Sequence, residues 1–253
     1  TLVEVNPLVL TNDGEIIAHL EAENRWFEAQ MAPHRPLIDT LFEEMKARLN
    51  EDESSVPYRD GDWLYWWAFA PGTQYRRWFR KPADGSGAPA CILDENAQAE
   101  GKDFFRLGAL VVSPDGTKLA WTCDDSGAER FTLRIRDLAT GQDSALTIPG
   151  LLGGVVWSAQ SDAVLYGLVN DHWRIDRIMR HRLGDDPAQD RLVYQETDER
   201  FQAGVGRTQS RRLLMITAGN HETSEVWLIP ADDIDAAPLL VSKRIDGRQY
   251  EVD

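Results

Sequence analysis

The stretch FRLGALVVSPDGTKLAWTCDDSGAERFTLRIRDLATGQ, from Phe105 to Gln142, decides the fold. It strings three strand-like runs together with turns, among them Pro-Asp-Gly and Thr-Gly, where glycine supplies positive φ and proline fixes its own. Close relatives of it occur in the same chain. VVSPDGTKLAW (Val111 to Trp121) aligns with VVWSAQSDAVLYG (Val155 to Gly167), with VGRTQSRRLLMIT (Val205 to Thr217) and, more loosely, with PYRDGDWLYWW (Pro57 to Trp67). Leu64, Leu119, Leu165 and Leu214 then fall at comparable places, 55, 46 and 49 positions apart. A longer strand follows each copy (YRRWFRK, FTLRIRDL, RIMRHRLG, SEVWLIPA), and a short one follows that (ACILD, DSALTIP, RLVYQE, PLLVS).

Units of about 40 to 50 residues with four antiparallel strands are propeller blades, which bury both faces only against their neighbours. A β-sandwich has no reason to repeat this order of strands. The expected fold is therefore mainly β, a partial β-propeller of about four blades, preceded by an N-terminal α-helical segment. Four blades lie at the low end of what closes a ring. The final DGRQYEVD reads like the entrance to another blade, so closure is not expected.

Ahead of the blades, Gly14 to Glu53 has a helical texture: Leu37, Ile38, Leu41, Met45 and Leu49 recur at spacings of three and four. Pro33 and Pro36 break it into two helices. The texture changes near Ser54, which gives a helical segment 1–54 and a blade region 55–253.

The chain of 253 residues is long enough for a full core, and no apolar run approaches the roughly 18 residues of a membrane span. It starts at Thr1 with no basic or apolar leader. The net charge of -15 argues against phosphate-backbone binding and favours basic ligands, so neither nucleic acid nor membrane is an expected partner. Cys91 and Cys123 both sit in apolar runs and read as buried thiols, which fits a reducing, cytoplasmic setting.

Chemistry is sparse. No Gly-x-Ser-x-Gly elbow occurs, and Ser113, Ser158 and Ser210 fall in blade hairpins. His19, His34, His172, His181 and His221 show no metal spacing and read as exposed or capping. The pairs Asp124–Asp125, Asp185–Asp186 and Asp232–Asp233 are adjacent, so they point to opposite strand faces and belong in turns. Leu151 to Gly154 reads as a turn before the strand VVWS, far from a dinucleotide fingerprint. Trp63, Trp66, Trp67 and Trp78 read as packing between blades, and Arg174 to Arg182 as a strand or short helix with one wet cationic face. No catalytic, cofactor-binding or metal residue is assigned, and no cofactor is expected.

LEAENRWFEAQMAPHRPLIDTLFEEMKARLNEDESSVPYRDGDWLYW, AEGKDFFRLGALVVSPDGTKLAW, LRIRDLATG, LGDDPAQDRLVYQE and VGRTQSRRLLMI together resemble the oligopeptidase B branch of the prolyl oligopeptidase family of serine peptidases. The resemblance runs from about Leu20 to Asp253. It implies a seven-bladed propeller capping an α/β-hydrolase domain. This chain would be the N-terminal helical segment, which in relatives packs on the hydrolase domain, plus about the first half of the propeller. The Ser-Asp-His triad would lie further along the parent chain, so this part alone is expected to be inactive. The implied whole enzyme cleaves short cationic peptides after Arg or Lys, with the propeller filtering access. The first 18 residues match only loosely; EVNPLVLTNDGEIIA locally resembles a stretch of the succinyl-CoA ligase β subunit, which we take as chance because that ligase's other features are absent. The other readings are a free-standing propeller scaffold for a partner protein and a propeller glycosidase, which would need convergent carboxylates at the channel mouth.

Overall fold

A computed structural model describes residues 13–253 other than Glu51; the greater part of the loosely matching first 18 residues lies outside them. The chain divides into a helical unit ending at Glu53 and a β unit starting at Ser54.

In the helical unit, α1 (Asp13–Met31) and α2 (Arg35–Lys46) are separated by one 3-10 turn, Ala32–His34. Pro33 and Pro36 each stand in a first turn, where the missing N–H would have no partner anyway. Neither helix buries its apolar residues within the unit: Trp26, Phe27, Leu37, Leu41, Phe42 and Met45 are all exposed.

The β unit runs β1 (Tyr58–Asp60), β2 (Trp63–Ala68), β3 (Arg77–Pro82), β4 (Ala90–Asp94), a short helix α3 (Glu95–Ala99), then β5 (Arg106–Val112), β6 (Lys118–Asp124), β7 (Phe131–Asp137) and β8 (Ile148–Trp157). It continues with β9 (Ala163–Val169), β10 (Ile175–Arg182), β11 (Arg191–Gln195), β12 (Gln202–Arg207), β13 (Leu213–Gly219), β14 (Ser224–Pro230) and β15 (Leu239–Leu240). The strands form sheets of four, seven and four, and within each sheet neighbours in sequence pair antiparallel. The seven-stranded sheet is two blades fused through β8. Ile148 pairs with Leu133 of β7, Val155 to Trp157 pair with β9, and Leu151 pairs with both sides. The four blades are thus β1–β4, β5–β8, β8–β11 and β12–β15, an incomplete β-propeller.

Leu151 to Gly154 is therefore not a turn before a strand but the middle of one. Gly153 takes φ +83 where the register shifts between Leu151 and Val155, a bulge that lets a single strand leave one blade and enter the next.

Hydrogen bonds fix the equivalences between blades. Ser113, Ser158 and Thr208 donate their amides to the carbonyls of Lys118, Ala163 and Leu213 across the same tight turn. Leu119 and Leu214 are thereby equivalent to Val164, and the match to Leu165 slips by one residue. In a strand such a slip changes the face: Val164 packs toward the second blade and Leu165 toward the fourth. Leu64 keeps its predicted place, since Ala83 bonds Asp62 as Leu138 bonds Thr117.

Apolar clusters fill the three seams. Leu93, Phe105, Leu119, Trp121 and Cys123 lie between blades one and two. Phe131, Leu133, Ile135, Trp157, Val164 and Tyr166 lie between two and three, and Leu165, Ile178, Leu214, Ile216 and Ile229 between three and four.

Candidate functional site

Each blade joins its first two strands by a tight turn whose left-handed position is filled in succession by Gly61 (φ +60), Gly116 (+73), Ser161 (+61) and Arg211 (+59). In the last three blades a buried hydroxyl pins the turn: the Ser113, Ser158 and Thr208 oxygens accept the amides of Lys118, Ala163 and Leu213 at 2.9, 3.1 and 3.3 Å. The turns of blades one, two and four border a cavity of about 170 Å³ lined by Asp60, Asp62, Trp63, Asp115, Arg207 and Arg211.

Asp60 of the first blade is gripped there by two arginines of the fourth. Arg211 reaches its Oδ1, and Arg207 Nη2 lies 3.5 Å from its Oδ2. Beside them the Arg80 guanidinium lies 4.0 Å from the centre of the Trp63 ring and donates to the Gly116 carbonyl at 2.6 Å. Partial burial pulls the Asp115 carboxyl upward, but bonds from Ser113 and from the Thr117 amide and hydroxyl, with the charge of Lys118, outweigh it and bring the pKa to about 2. A glycosidase needs one carboxyl that keeps its proton near neutrality. Asp115 is the opposite, and Asp60 is committed to two arginines.

Two other cavities carry acids. A groove of about 890 Å³ on the rim between blades two and three has an apolar floor of Ile135, Leu146 and Leu183 under Asp137, Asp143, Asp185 and Asp186. A cavity of about 450 Å³ beside α3 has Phe69, Tyr75, Trp78 and Phe105 around Glu95. Burial raises the Glu95 pKa against the bond it accepts from Trp78 Nε1 at 2.7 Å.

Ser113, Ser158 and Ser210 all lie in the first turns, engaged in turn hydrogen bonds. Asp124 and Asp186 hold loop amides. Among the described residues no group of three or more His, Cys, Asp and Glu is placed to hold a metal, and no helix is long and apolar enough to cross a membrane.

Four expectations change. His181 is fully buried, its Nδ1 2.7 Å from Asp190 Oδ1, while the Tyr166 hydroxyl donates to Asp190 Oδ2 at 2.6 Å. Cys91 is exposed, because it sits at the start of the outermost strand of its blade; Cys123 is buried. Ile175 to Arg182 of the run Arg174 to Arg182 supplies β10, and its Arg177, Arg180 and Arg182 are matched by Asp176, Asp162 and Asp235 instead of facing water alone, while Arg174 precedes the strand without such a partner among the described residues. The tryptophans divide by strand alternation. Trp63, Trp67 and Trp78 share the face turned to the second blade, whereas Trp66 stacks on Phe79 on the opposite face, with ring centres 5.5 Å apart. Asp60, Arg207 and Arg211 escaped the sequence reading altogether, since only topology brings together groups about 150 residues apart.

The profile described as "Prolyl oligopeptidase, N-terminal beta-propeller domain" matches residues 11–253. Dipeptidyl aminopeptidase BI of Pseudoxanthomonas mexicana is 32% identical over 94% of this chain, and Protease 2 of Moraxella lacunata 29% identical over 96%. The chain spans only 35% and 36% of those relatives' lengths. Among solved structures, oligopeptidase B from Leishmania major superposes with a TM-score of 0.87 at 27% identity, covering 95% of this chain and 34% of that one. Oligopeptidase B from Trypanosoma brucei, in a closed form with covalently bound antipain, gives 0.82 at 28% identity, covering 93% and 34%.

Proposed function

Since the chain belongs to the prolyl oligopeptidase family of hydrolases and is its N-terminal β-propeller region, we propose that it is the access-restricting part of a serine oligopeptidase that cuts short peptides after Arg or Lys. The rest of the parent polypeptide carries the α/β-hydrolase domain with its Ser-Asp-His triad and covers the exposed apolar side chains of α1 and α2. The chain by itself hydrolyses no peptide. It works in the cytoplasm, where Cys91 and Cys123 stay reduced, and binds neither nucleic acid nor membrane.

The observation that carries this reading is the turn-side cavity, about 170 Å³, crossed by the Asp60 ion pairs to Arg207 and Arg211. Ion pairs drawn across that cavity hold the turns of the first and fourth blades together, which favours thin, unfolded peptides over folded proteins. The net charge of -15 on the chain as a whole concentrates cationic peptides at its surface.

The test uses the whole parent enzyme and a ladder of peptides of rising length with a single Arg. Asp60→Ala removes both exposed ion pairs, together worth about 1 kcal/mol, and should raise kcat/KM for long peptides relative to short ones about fivefold. A length profile identical to that of the unmodified enzyme refutes the filter. Hydrolysis of an arginyl amide by the 253-residue chain alone, at enzyme-like rates, refutes the division of labour.

A further inference from the structure

On the loop side of the blades, at the opposite end of the strands from the Asp60 turns, a cavity of about 440 Å³ lies at blades three and four. Its walls are Arg174, Arg200, Gln202, Asn220 and His221, and no carboxylate lines it. That inverts the local charge of a chain with 42 acids to 27 bases, whose turn-side cavity, rim groove and α3 cavity all carry acids.

The cationic walls are held in place. Asp198 takes Arg200 Nε at 3.1 Å and Nη2 at 2.7 Å, and its Oδ1 also accepts the Arg200 amide at 3.0 Å. Those bonds from Arg200 hold the Asp198 pKa at about 2 and leave the outer edge of the guanidinium free. Arg174 has no ion-pair partner among the described residues. Its backbone is fixed at both ends, since Asn170 Oδ1 accepts its amide at 3.0 Å and the Asn170 amide donates to its carbonyl at 2.9 Å.

The residue before it is strained. Trp173 holds φ +56, in the left-handed region that disfavours bulky side chains, and it is exposed. Its ring Nε1 donates to the Ala128 carbonyl at 3.2 Å, and the Arg130 guanidinium lies over the ring at 4.8 Å. This conformation sets where Arg174 enters the cavity. The floor is small: a Cβ at Gly204 would come 3.1 Å from Thr217 Oγ1, and one at Gly219 3.1 Å from the Thr223 carbonyl.

We infer that this cavity binds a carboxylate of a peptide, between the Arg174 and Arg200 guanidiniums with His221 and the Gln202 and Asn220 amides around it. Two planar forks and neutral donors over a floor of small residues, Ala203, Gly204, Thr217, Ala218 and Gly219, match the geometry and charge of that group. That the carboxylate belongs to a peptide rests on the peptidase reading; that the group is a carboxylate rests on the cavity alone.

The experiment is calorimetric titration of the chain and of the parent enzyme with N-acetyl-Gly-Phe-Gly. This peptide lacks Arg and Lys, so the proposed specificity leaves it intact. Three ligands are compared: the free acid, its C-terminal amide, and the amide of N-acetyl-Gly-Glu-Gly. The free acid should bind, with the Gly-Phe-Gly amide about tenfold weaker or worse, and Arg174→Gln should lose about tenfold because an exposed charge-assisted bond is removed. Binding of the Glu-containing amide at the strength of the free acid assigns the site to side-chain carboxylates; failure of that amide assigns it to the peptide terminus. Equal binding of acid and amide, or an Arg174→Gln variant that binds as well as the parent, overturns the proposal. Neither result touches hydrolysis, so the peptidase reading stands or falls separately.

Discussion

Blades two and three place three side chains at matching positions and satisfy them differently. In blade two these are Trp121 on the second strand, Arg136 on the third and Asp143 on the approach to the fourth; in blade three they are Tyr166, His181 and Asp190. In both, the acid accepts from the ring donor, Trp121 Nε1 at 3.0 Å or the Tyr166 hydroxyl at 2.6 Å, and pairs with the base. Arg136 spends Nε and Nη2 on Asp143 at 2.9 and 3.0 Å and still has Nη1 to reach the Ile92 carbonyl of the first blade at 3.3 Å. His181 spends Nδ1 on Asp190, and its buried Nε2 has no partner among the described residues. The Arg136 guanidinium, with five donors, ties its own blade together and crosses the seam, while the His181 imidazole, using one of its two nitrogens, does only the first. Burial and the Asp190 bond together raise the Tyr166 pKa, as expected for a hydroxyl that donates to a carboxylate in an apolar seam.

The largest expected effect comes from removing the acid in blade three. Asp190→Ala leaves His181 and Tyr166 buried with unpaired polar atoms and should cost about 3–5 kcal/mol in denaturant unfolding. Asp143→Ala should cost less, because Arg136 keeps its bond to Ile92 and its side chain is not fully enclosed. Equal losses would mean that the spare donor of Arg136 contributes nothing.

The same question can be put to apolar groups. Leu119 and Leu64 occupy equivalent places, each facing the preceding blade. Leu119 is fully buried against the first blade, whereas Leu64 has no earlier blade among the described residues and stays half-buried. Leu119→Ala should therefore cost about 3 kcal/mol and Leu64→Ala about 1. In the parent enzyme a further blade packed on that face would bring the two values together, so the same pair of variants measures whether the first blade gains a neighbour.

These contrasts mark where the sequence stops being informative. The blade order was legible because turn residues are local: Asp-Gly at Asp60–Gly61 and Pro-Asp-Gly at Pro114–Gly116 announce their φ requirements. The third blade blurred, because Ser161 holds the left-handed position without a glycine to mark it, and the alignment slipped from Val164 to Leu165. The fused strand β8 was hidden by Gly150, Gly153 and Gly154, which read as a break when they supply a bulge. The candidate sites were less legible still. His181 finds Asp190 across an irregular connection, and Asp60 finds Arg211 only because the first and fourth blades approach at their turns. Spacing in the chain carries no trace of either meeting.

The smallest effect concerns the second turn of each blade. A side-chain oxygen holds this loop in three blades: Asp124 accepts the amides of Ser126, Gly127 and Glu129 at 2.9, 3.1 and 2.8 Å, and Asn170 and Asn220 do the same for their loops. Only the first of these is charged. Burial alone would raise the Asp124 pKa, but the bonds from Ser126, Glu129 and Gly127 lower it below the ordinary carboxylate value. A folded pKa below the unfolded one means stability that is fully present above about pH 4 and lost as pH falls through the folded value. Asp124→Asn should cost about 1 kcal/mol at pH 7, because neutral bonds replace charge-assisted ones, and the cost should shrink toward zero as the acid limb is descended. Thermal unfolding of the two proteins from pH 7 to pH 2 reads this directly; a stability gap that stays constant over that range would show that the Asp124 charge plays no part in holding the loop.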